Sequence, residues 1–227
     1  MRIRPGIIAT VFDLAYLTLT TNLLLVLGCL PLLAVALTTD TTRSWPLLAL
    51  LAPLCAPALC GVFAVFAAYT DDRSTTVAST FARTWRASFR RASQLGALTT
   101  GVLVVLGVDA RAAWGHSVGA VAIPLLATAA VLTTAAALLA LAVLAELPTA
   151  RLRDALRVSL YQAVRHWPLT LLSLVVLVLL QTVFASRPAV ALGLAAAPLL
   201  YVVWANSRFA LRSVLRPTAG RSVATGH

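Results

Sequence analysis

The sequence predicts an all-α membrane protein: a polytopic helix bundle with about six transmembrane helices and two amphipathic interfacial helices on the cytoplasmic side. Three observations support this. The 227 residues are 60% apolar and only 11% charged, with a mean hydropathy of +0.93, whereas soluble domains are about 45–50% apolar and about 25% charged. Long apolar runs recur along the chain, and the basic residues fall between them. These features exclude a disordered chain and argue against a water-soluble globule.

Six apolar runs approach or exceed the length of about 20 residues that a spanning helix needs. They cover residues 14–37, 45–69, 95–114, 118–147, 169–186 and 189–206. The third is the weakest, because it is continuously apolar only as far as Val108. Two polar segments, 74–93 and 149–166, interrupt the series, and a basic tail, 207–227, follows it. Residues 1–227 are therefore treated as one integral membrane domain.

The positions of the basic residues predict the orientation. All 18 are arginines. If the N-terminus lies inside, 15 arginines fall in inner segments and only Arg43, Arg111 and Arg187 fall in outer loops. Cytoplasmic loops of membrane proteins carry such an excess of basic residues. We therefore predict that both termini are cytoplasmic. The formal net charge of +11 is then explained by the orientation of the chain in the membrane, and we predict no nucleic-acid binding.

A cleaved signal peptide is the alternative interpretation of the first run. Arg2 and Arg4 would form its basic region, and residues 34–36 (Ala-Val-Ala) resemble a cleavage site. The apolar run spans 24 residues, however, whereas a signal peptide has an apolar region of about 7–15. We expect a retained first helix.

The segment 74–93 has the pattern of a basic amphipathic helix. Three aromatic residues recur at every fourth position: Phe81, Trp85 and Phe89. Four arginines lie on the opposite face and its flank: Arg83, Arg86, Arg90 and Arg91. Such a helix places its aromatic rings at the acyl boundary and its arginines towards anionic headgroups.

The segment 149–166 repeats this pattern more weakly, with a leucine stripe opposite Arg153, Arg157 and Arg165. Both segments can be elbows that connect spans, or docking surfaces for a cytoplasmic partner. Because each precedes a pair of spans, residues 70–147 and 148–206 also suggest two copies of one unit.

Few polar residues lie within the apolar runs. Asn22, Glu146 and Gln181 form a possible intramembrane polar site. Hydrogen bonds between helices explain Asn22 and Gln181. Glu146, at the inner end of its run, is expected to reach water or an arginine such as Arg151, and proton or substrate coupling is the sharper alternative. Prolines within the runs either kink the helices or frame a substrate pathway.

The sequence contains no recognisable catalytic, cofactor-binding or metal-binding motif. Cys29, Cys55 and Cys60 all lie in apolar runs, which predicts buried thiols. His116 and His166 fall on opposite predicted sides of the membrane. We therefore predict no enzyme activity, no cofactor and no metal.

Three stretches resemble the YesL-like family of bacterial integral membrane proteins. Residues 22–31 (NLLLVLGCLP) resemble its first span, residues 56–59 (APAL) its G-P-A-x-A motif, and residues 81–91 (FARTWRASFRR) its aromatic and basic segment. The resemblance is best over residues 13–95. The family has no established activity.

The resemblance implies a location in the bacterial cytoplasmic membrane and an accessory role in carbohydrate uptake. The implied partners are components of an ABC transporter or further copies of the chain, besides the anionic bilayer. We expect a non-enzymatic accessory or scaffold protein. The alternative is a small transporter or permease subunit that moves a small solute.

Overall fold

The computed structural model describes residues 5–72, 76–147, 152–165 and 167–221, and these residues form helices and no strand. The helices in chain order are α1 Pro5–Gly28, α2 Leu30–Thr38, α3 Thr41–Leu51, α4 Ala56–Asp72, α5 Val77–Ala113, α6 Gly119–Glu146, α7 Leu152–Arg165, α8 Trp167–Ser186, the short α9 Pro188–Val190 and α10 Ala196–Arg221. A 3₁₀ turn, Ala52–Cys55, joins α3 to α4, and a π-helical segment, Ala191–Ala195, joins α9 to α10.

The first predicted span, 14–37, is a bent pair of helices and not one straight helix. The chain leaves helical geometry at Cys29, and α2 continues at 75° to α1. Pro31 lies in the first turn of α2. Proline has no N–H, and its ring clashes with the carbonyl four residues earlier, so a helix breaks at such a position.

The second predicted span, 45–69, corresponds to a continuous apolar stretch, Thr42–Asp71, of 30 residues. Its first turn has an N-cap, because Oδ1 of Asp40 accepts hydrogen bonds from the backbone N–H of Thr42 at 3.0 Å and from the Thr42 hydroxyl at 2.8 Å. The 3₁₀ turn contains Pro53 and does not bend the stretch enough to divide it.

The polar segment 74–93 and the third predicted span, 95–114, are a single helix. Within the described residues, α5 runs without a break through 37 residues, which corresponds to about 55 Å at 1.5 Å per residue. The boundary that the change in composition suggested at residue 94 is absent from the backbone. The segment that was predicted to be a separate interfacial helix is therefore the first half of a long helix.

The remaining elements follow the predicted positions. The fourth predicted span is α6, the segment 149–166 contains α7, and the fifth and sixth runs correspond to α8 and to the stretch Pro188–Ala210. Part of the predicted tail, 207–227, is helical, because α10 continues to Arg221.

Fewer spans are found than the six predicted. The count uses length and composition alone and covers the described residues. Four helices meet the criterion, and five do if the bent pair of α1 and α2 is one span. Within α8, the apolar stretch Leu171–Ser186 is shorter than a full span. The protein is thus an all-helical chain with four or five helices able to cross a membrane.

The best-buried residues lie where α4 meets the first half of α5, the second half of α6 and α10. They include Val62, Phe63, Phe66, Leu95, Leu144, Val203 and Trp204. Glycines permit the closest approaches: a Cβ at Gly61 would lie 2.7 Å from Cδ2 of Phe81, and a Cβ at Gly28 would lie 2.6 Å from Cβ of Ala58. The side chains at these two positions have to be absent for α1, α4 and α5 to pack as they do.

Candidate functional site

Asn22 is a bridge between α1 and the last apolar stretch. Its Nδ2 donates to the carbonyl of Gly193 at 2.8 Å, and its Oδ1 accepts from the backbone N–H of Ala197 at 2.7 Å. The residue is only 2% exposed. The hydrogen bond between helices that the sequence suggested for Asn22 is present, and its partners are backbone groups.

The position of this bridge explains the π-helical segment. In a regular helix the N–H of Ala197 would bond directly to the carbonyl of Gly193, four residues earlier. The Asn22 carboxamide is inserted between these two groups, and Ala196 bonds instead to Ala191, five residues earlier. Asn22 therefore satisfies backbone groups that the widened turn would leave unpaired at a depth where water is scarce.

Glu146 belongs to an ionic cluster that joins α4, α6 and α10. Nε of Arg208 lies 3.2 Å from Oε1 of Glu146, and Nη2 of the same guanidinium lies 2.9 and 2.8 Å from the two carboxylate oxygens of Asp71. The arginine partner predicted for Glu146 is thus present, but it is Arg208. Arg151 lies outside the described residues. The cluster places the ends of α4 and α6 at the same level as the middle of α10.

Aromatic rings support the guanidinium from the other side. Cζ of Arg208 lies 5.3 Å from the centroid of the Trp204 ring, within the range of a cation–π contact. Trp204 packs against Tyr201 and Phe66 at centroid distances of 5.5 and 6.1 Å, and Phe66 meets Tyr201 edge to face at 5.4 Å. Together, the ion pairs and the rings join α4 to α10.

A cavity of about 440 Å³ lies between α1, α4 and α10. Its walls are mainly apolar, and their members are Leu14, Leu17, Thr18, Phe66, Tyr69, Ala197, Pro198, Tyr201 and Val202. One end is beside Ala197, whose N–H bonds to Asn22. The other end includes Tyr69, which is two residues from Asp71, and Tyr201, which is two turns from Arg208. This size and lining are typical of ligand sites in helix bundles.

Gln181 lies apart from Asn22 and Glu146, so the three predicted intramembrane residues do not form one site. It is exposed on α8 and lines a second cavity of about 720 Å³ against α2 and α3. The other lining residues are apolar: Leu32, Leu33, Ala36, Leu37, Leu48, Ala49, Ala52, Phe184, Ala185 and Pro188.

The three aromatic residues predicted for one surface of α5 have different environments. Phe81 is 7% exposed and lies against Gly61 in the core. Trp85 is half-buried, and Phe89 is 38% exposed and meets the Trp85 ring edge to face at 5.3 Å. Phe81 therefore faces neither lipid nor a partner, and the aromatic part of the predicted surface is reduced to Phe89 and part of Trp85.

The basic part of that surface is accessible. Arg83, Arg86 and Arg90 are exposed on α5, and Arg91 is half-buried. On α7, Arg153, Arg157 and Arg165 are exposed, and Nη1 of Arg165 donates to the Tyr161 hydroxyl at 3.3 Å. Arg83, Arg86 and Arg90 form no salt bridge with an acidic residue of the described parts of the chain. We call the exposed residues Arg83, Arg86, Phe89 and Arg90 the α5 basic face.

Among the described residues no group of three or more histidines, cysteines or acidic residues is placed to hold a metal ion. The three cysteines are free thiols. Cys60 is buried and its Sγ lies 3.6 Å from the carbonyl of Leu141. Cys29 and Cys55 are half-buried at the bend and at the 3₁₀ turn. His166 lies outside the described residues.

Comparison with known proteins gives one result. No curated protein and no solved structure matches the chain. A family model matches residues 11–110, a range that is less than half of the 227 residues and that contains Asn22, the bend at Cys29 and the α5 basic face. Over these residues the chain is similar to the family described as "Protein of unknown function, DUF624".

Proposed function

We propose that the protein is a non-enzymatic, multi-pass accessory or scaffold protein of the bacterial cytoplasmic membrane. It has six spans, with both termini in the cytoplasm, and it docks a partner through arginines of α5 and α7. The resemblance to the YesL-like family suggests association with ABC-type carbohydrate uptake. The match to a family of unknown function is compatible with the resemblance itself.

The observation that carries the proposal is the contrast between interior and exposed polar groups. The interior groups Asn22, Glu146 and Arg208 are engaged in contacts that hold helices together. By contrast, Arg83, Arg86 and Arg90 are exposed at spacings of three and four residues, with no acidic partner among the described residues. Like charges at these spacings repel one another and destabilise a helix, and an acidic partner surface removes that cost.

The length of α5 supports the same proposal. A helix of about 55 Å exceeds the hydrocarbon layer of about 30 Å. When residues 95–113 of α5, a length of about 28 Å, cross that layer, the α5 basic face extends into water. The arginines are then positioned for proteins or lipid headgroups in the cytoplasm.

The test is affinity purification from native membranes in a mild detergent, with quantitative mass spectrometry. The variant Arg83→Gln/Arg86→Gln/Arg90→Gln removes the charge of the α5 basic face. The matched control, Arg43→Gln/Arg111→Gln/Arg187→Gln, removes the same charge from the predicted outer loops. We expect permease, ATPase or sugar-binding components to accompany the wild type and the control in near-stoichiometric amounts and to be lost from the variant. The same proteins in all three samples would exclude docking through α5.

The predicted topology is tested separately. Fusions of a periplasm-dependent phosphatase and a cytoplasm-dependent fluorescent protein are placed after each predicted span. Six spans require the two reporters to alternate in activity and the full-length fusion to fluoresce. A phosphatase-active fusion at the C-terminus would exclude the proposed orientation.

The alternative function is a small transporter or permease subunit that moves a small solute. The observation that favours it is the widened turn at Ala191–Ala195 beside the cavity between α1, α4 and α10, because broken helices frame the sites of many transporters. Solute flux in proteoliposomes that is abolished by Glu146→Gln would establish this function. Equal flux with and without the protein would exclude it.

A further inference from the structure

We propose that the cavity between α1, α4 and α10 holds the alkyl chain of an amphiphile whose head group carries an ammonium group. This inference does not depend on the proposed scaffold function. It assigns a ligand class to a site that the docking proposal does not use.

The apolar walls determine which part of the ligand lies inside the cavity. Leu14, Leu17, Phe66, Pro198 and Val202 present hydrocarbon to a space of about 440 Å³. An empty space of this size forfeits dispersion contacts along its whole lining. Alkyl chains are the solvent around a membrane-spanning bundle, so a chain fills the space without the cost of leaving water. A strongly polar solute would lose its hydration and find few partners in these walls.

The two ends of the cavity determine the orientation of the ligand. At the deep end the polar backbone groups are already satisfied, because Asn22 bonds to Ala197 and Gly193. At the other end, Tyr69 and Tyr201 lie in the wall, and the charged residues Asp71 and Arg208 follow within one turn or two on the same helices. A chain with its methyl end beside Ala197 would therefore place its head group at the charged end.

The charge at that end selects the head group. Two carboxylates, Asp71 and Glu146, share the single guanidinium of Arg208. Asp71 keeps about half of its side chain exposed, at 51%. Asp13 is exposed on α1, one turn before Leu17 on the same helix face. Among the described side chains of α1, α4, α6 and α10 at this end, three carboxylates and one guanidinium leave the local balance negative, which attracts an ammonium group and repels a carboxylate or a phosphate with no compensating amine.

The test uses two photoreactive probes that differ only in charge. A long-chain alkylamine and a fatty acid of the same length, each with a diazirine on the chain, are irradiated with the full-length protein in detergent micelles. Labelled peptides are quantified by mass spectrometry. We expect the amine to label peptides of α1 and α10 about threefold more than the acid, as one partly exposed ion pair allows. Equal labelling, or stronger labelling by the acid, would overturn the proposal.

Two variants separate the cavity from the head-group site. Thr18→Phe fills the cavity and should reduce labelling of the α10 peptide about tenfold. Thr20→Phe makes the same change two residues away, at another half-buried position outside the cavity lining, and should leave labelling unchanged. Wild-type labelling in Thr18→Phe would overturn the proposal.

The exposed position Asp13 tests the charge without disturbing the packing. Asp13→Asn should lower the preference for the amine over the acid while total labelling in the cavity stays the same. If the preference is unchanged in this variant and in the Asp71→Asn variant, the head group is not held at the charged end and the proposal fails.

Discussion

The two ends of the α5–α6 hairpin are packed very differently. All but one of residues 135–145 in α6 are buried, whereas Val121 and Leu125 in the same helix are 76% and 69% exposed. In α5, one face is buried from Val77 to Leu95, while Leu98, Val102, Val105 and Val108 are exposed. Only 6% of the most apolar window of α5 is buried. One half of the hairpin thus contacts protein and the other is left to lipid.

The composition of α6 does not distinguish its buried half from its exposed half. Lipid tails are as apolar as leucine, so hydrophobicity does not separate the two halves. Residue size does not separate them either, because residues 135–145 contain six alanines, four leucines and a valine, and residues 119–131 contain five alanines beside Val121, Ile123, Leu125 and Leu126. What differs is the set of neighbouring helices: α4, α7 and α10 pack against α6, and its buried residues lie in its second half.

The largest effect is expected from removing a large side chain at the packed end. Phe63 is fully buried, and Phe63→Ala should lower the free energy of unfolding by about 3–5 kcal/mol, because it removes the contacts of a ring and leaves a cavity. Denaturant unfolding in detergent measures this change. Phe12→Ala is the matched control, since Phe12 is 71% exposed. Equal losses in the two variants would contradict the contrast between packed and lipid-exposed regions.

The next effect is expected at Asn22. Asn22→Leu keeps the branched shape of the side chain but removes its hydrogen bonds to Gly193 and Ala197, and it should cost about 1–3 kcal/mol. Hydrogen exchange of peptides that contain Ala197 should also change, because that N–H loses its partner. Asn206→Leu is the control, since its side chain donates one long hydrogen bond, to Ser173 at 3.4 Å. A larger loss for Asn206→Leu would show that the bridge does not stabilise the widened turn.

Local sequence signals predicted the helices well. For contacts between distant segments they predicted the type of interaction but not the partner residues. The apolar runs located α6 and α8 within a few residues, because composition determines which segments enter lipid. A hydrogen bond from Asn22 and an arginine partner for Glu146 were also expected, because buried polar groups need partners. The partners are 171 and 62 residues away in the chain, and no local pattern specifies which helices meet.

The bend in the first span and the continuity of α5 are properties of the backbone that composition does not show. Composition changes at residue 94 but not at Cys29, whereas the backbone breaks at Cys29 and continues through residue 94. Pro31 was a signal for the break, and the absence of proline or a paired glycine near residue 94 was a signal for continuity. A kink at a proline within the first run was among the expectations, whereas at residue 94 polarity was given more weight than the backbone signal. The burial of Phe81 required Gly28 and Gly61 to be recognised as positions of close approach.

A smaller effect is expected in the ionic cluster. A double-mutant cycle of Arg208→Gln with Glu146→Gln should give a coupling energy of about 1 kcal/mol, and a cycle with Asp71→Asn should give less. The reason is exposure: the side chains of Glu146 and Asp71 are 18% and 51% exposed, so water screens the second pair more strongly. The free energy of unfolding in detergent is the measured quantity. A stronger coupling to Asp71 would show that the two-oxygen contact outweighs screening.

The smallest effect is expected at the other end of the molecule, at the N-cap of α3. Hydrogen bonds from the hydroxyl and the backbone N–H of Thr42 hold the pKa of the fully exposed Asp40 below its usual value. A carboxyl whose pKa is lowered on folding stabilises the folded state above its unfolded pKa, and this contribution is lost as the pH falls through the folded pKa. Hydrogen exchange in the first turn of α3 should therefore quicken at acid pH beyond the change in intrinsic rate. Asp40→Asn keeps an N-cap oxygen that does not titrate, so the additional acid-dependent opening should disappear in this variant. If it persists there, protonation elsewhere loosens α3, and the sparsely packed end of the bundle depends on contacts other than its cap.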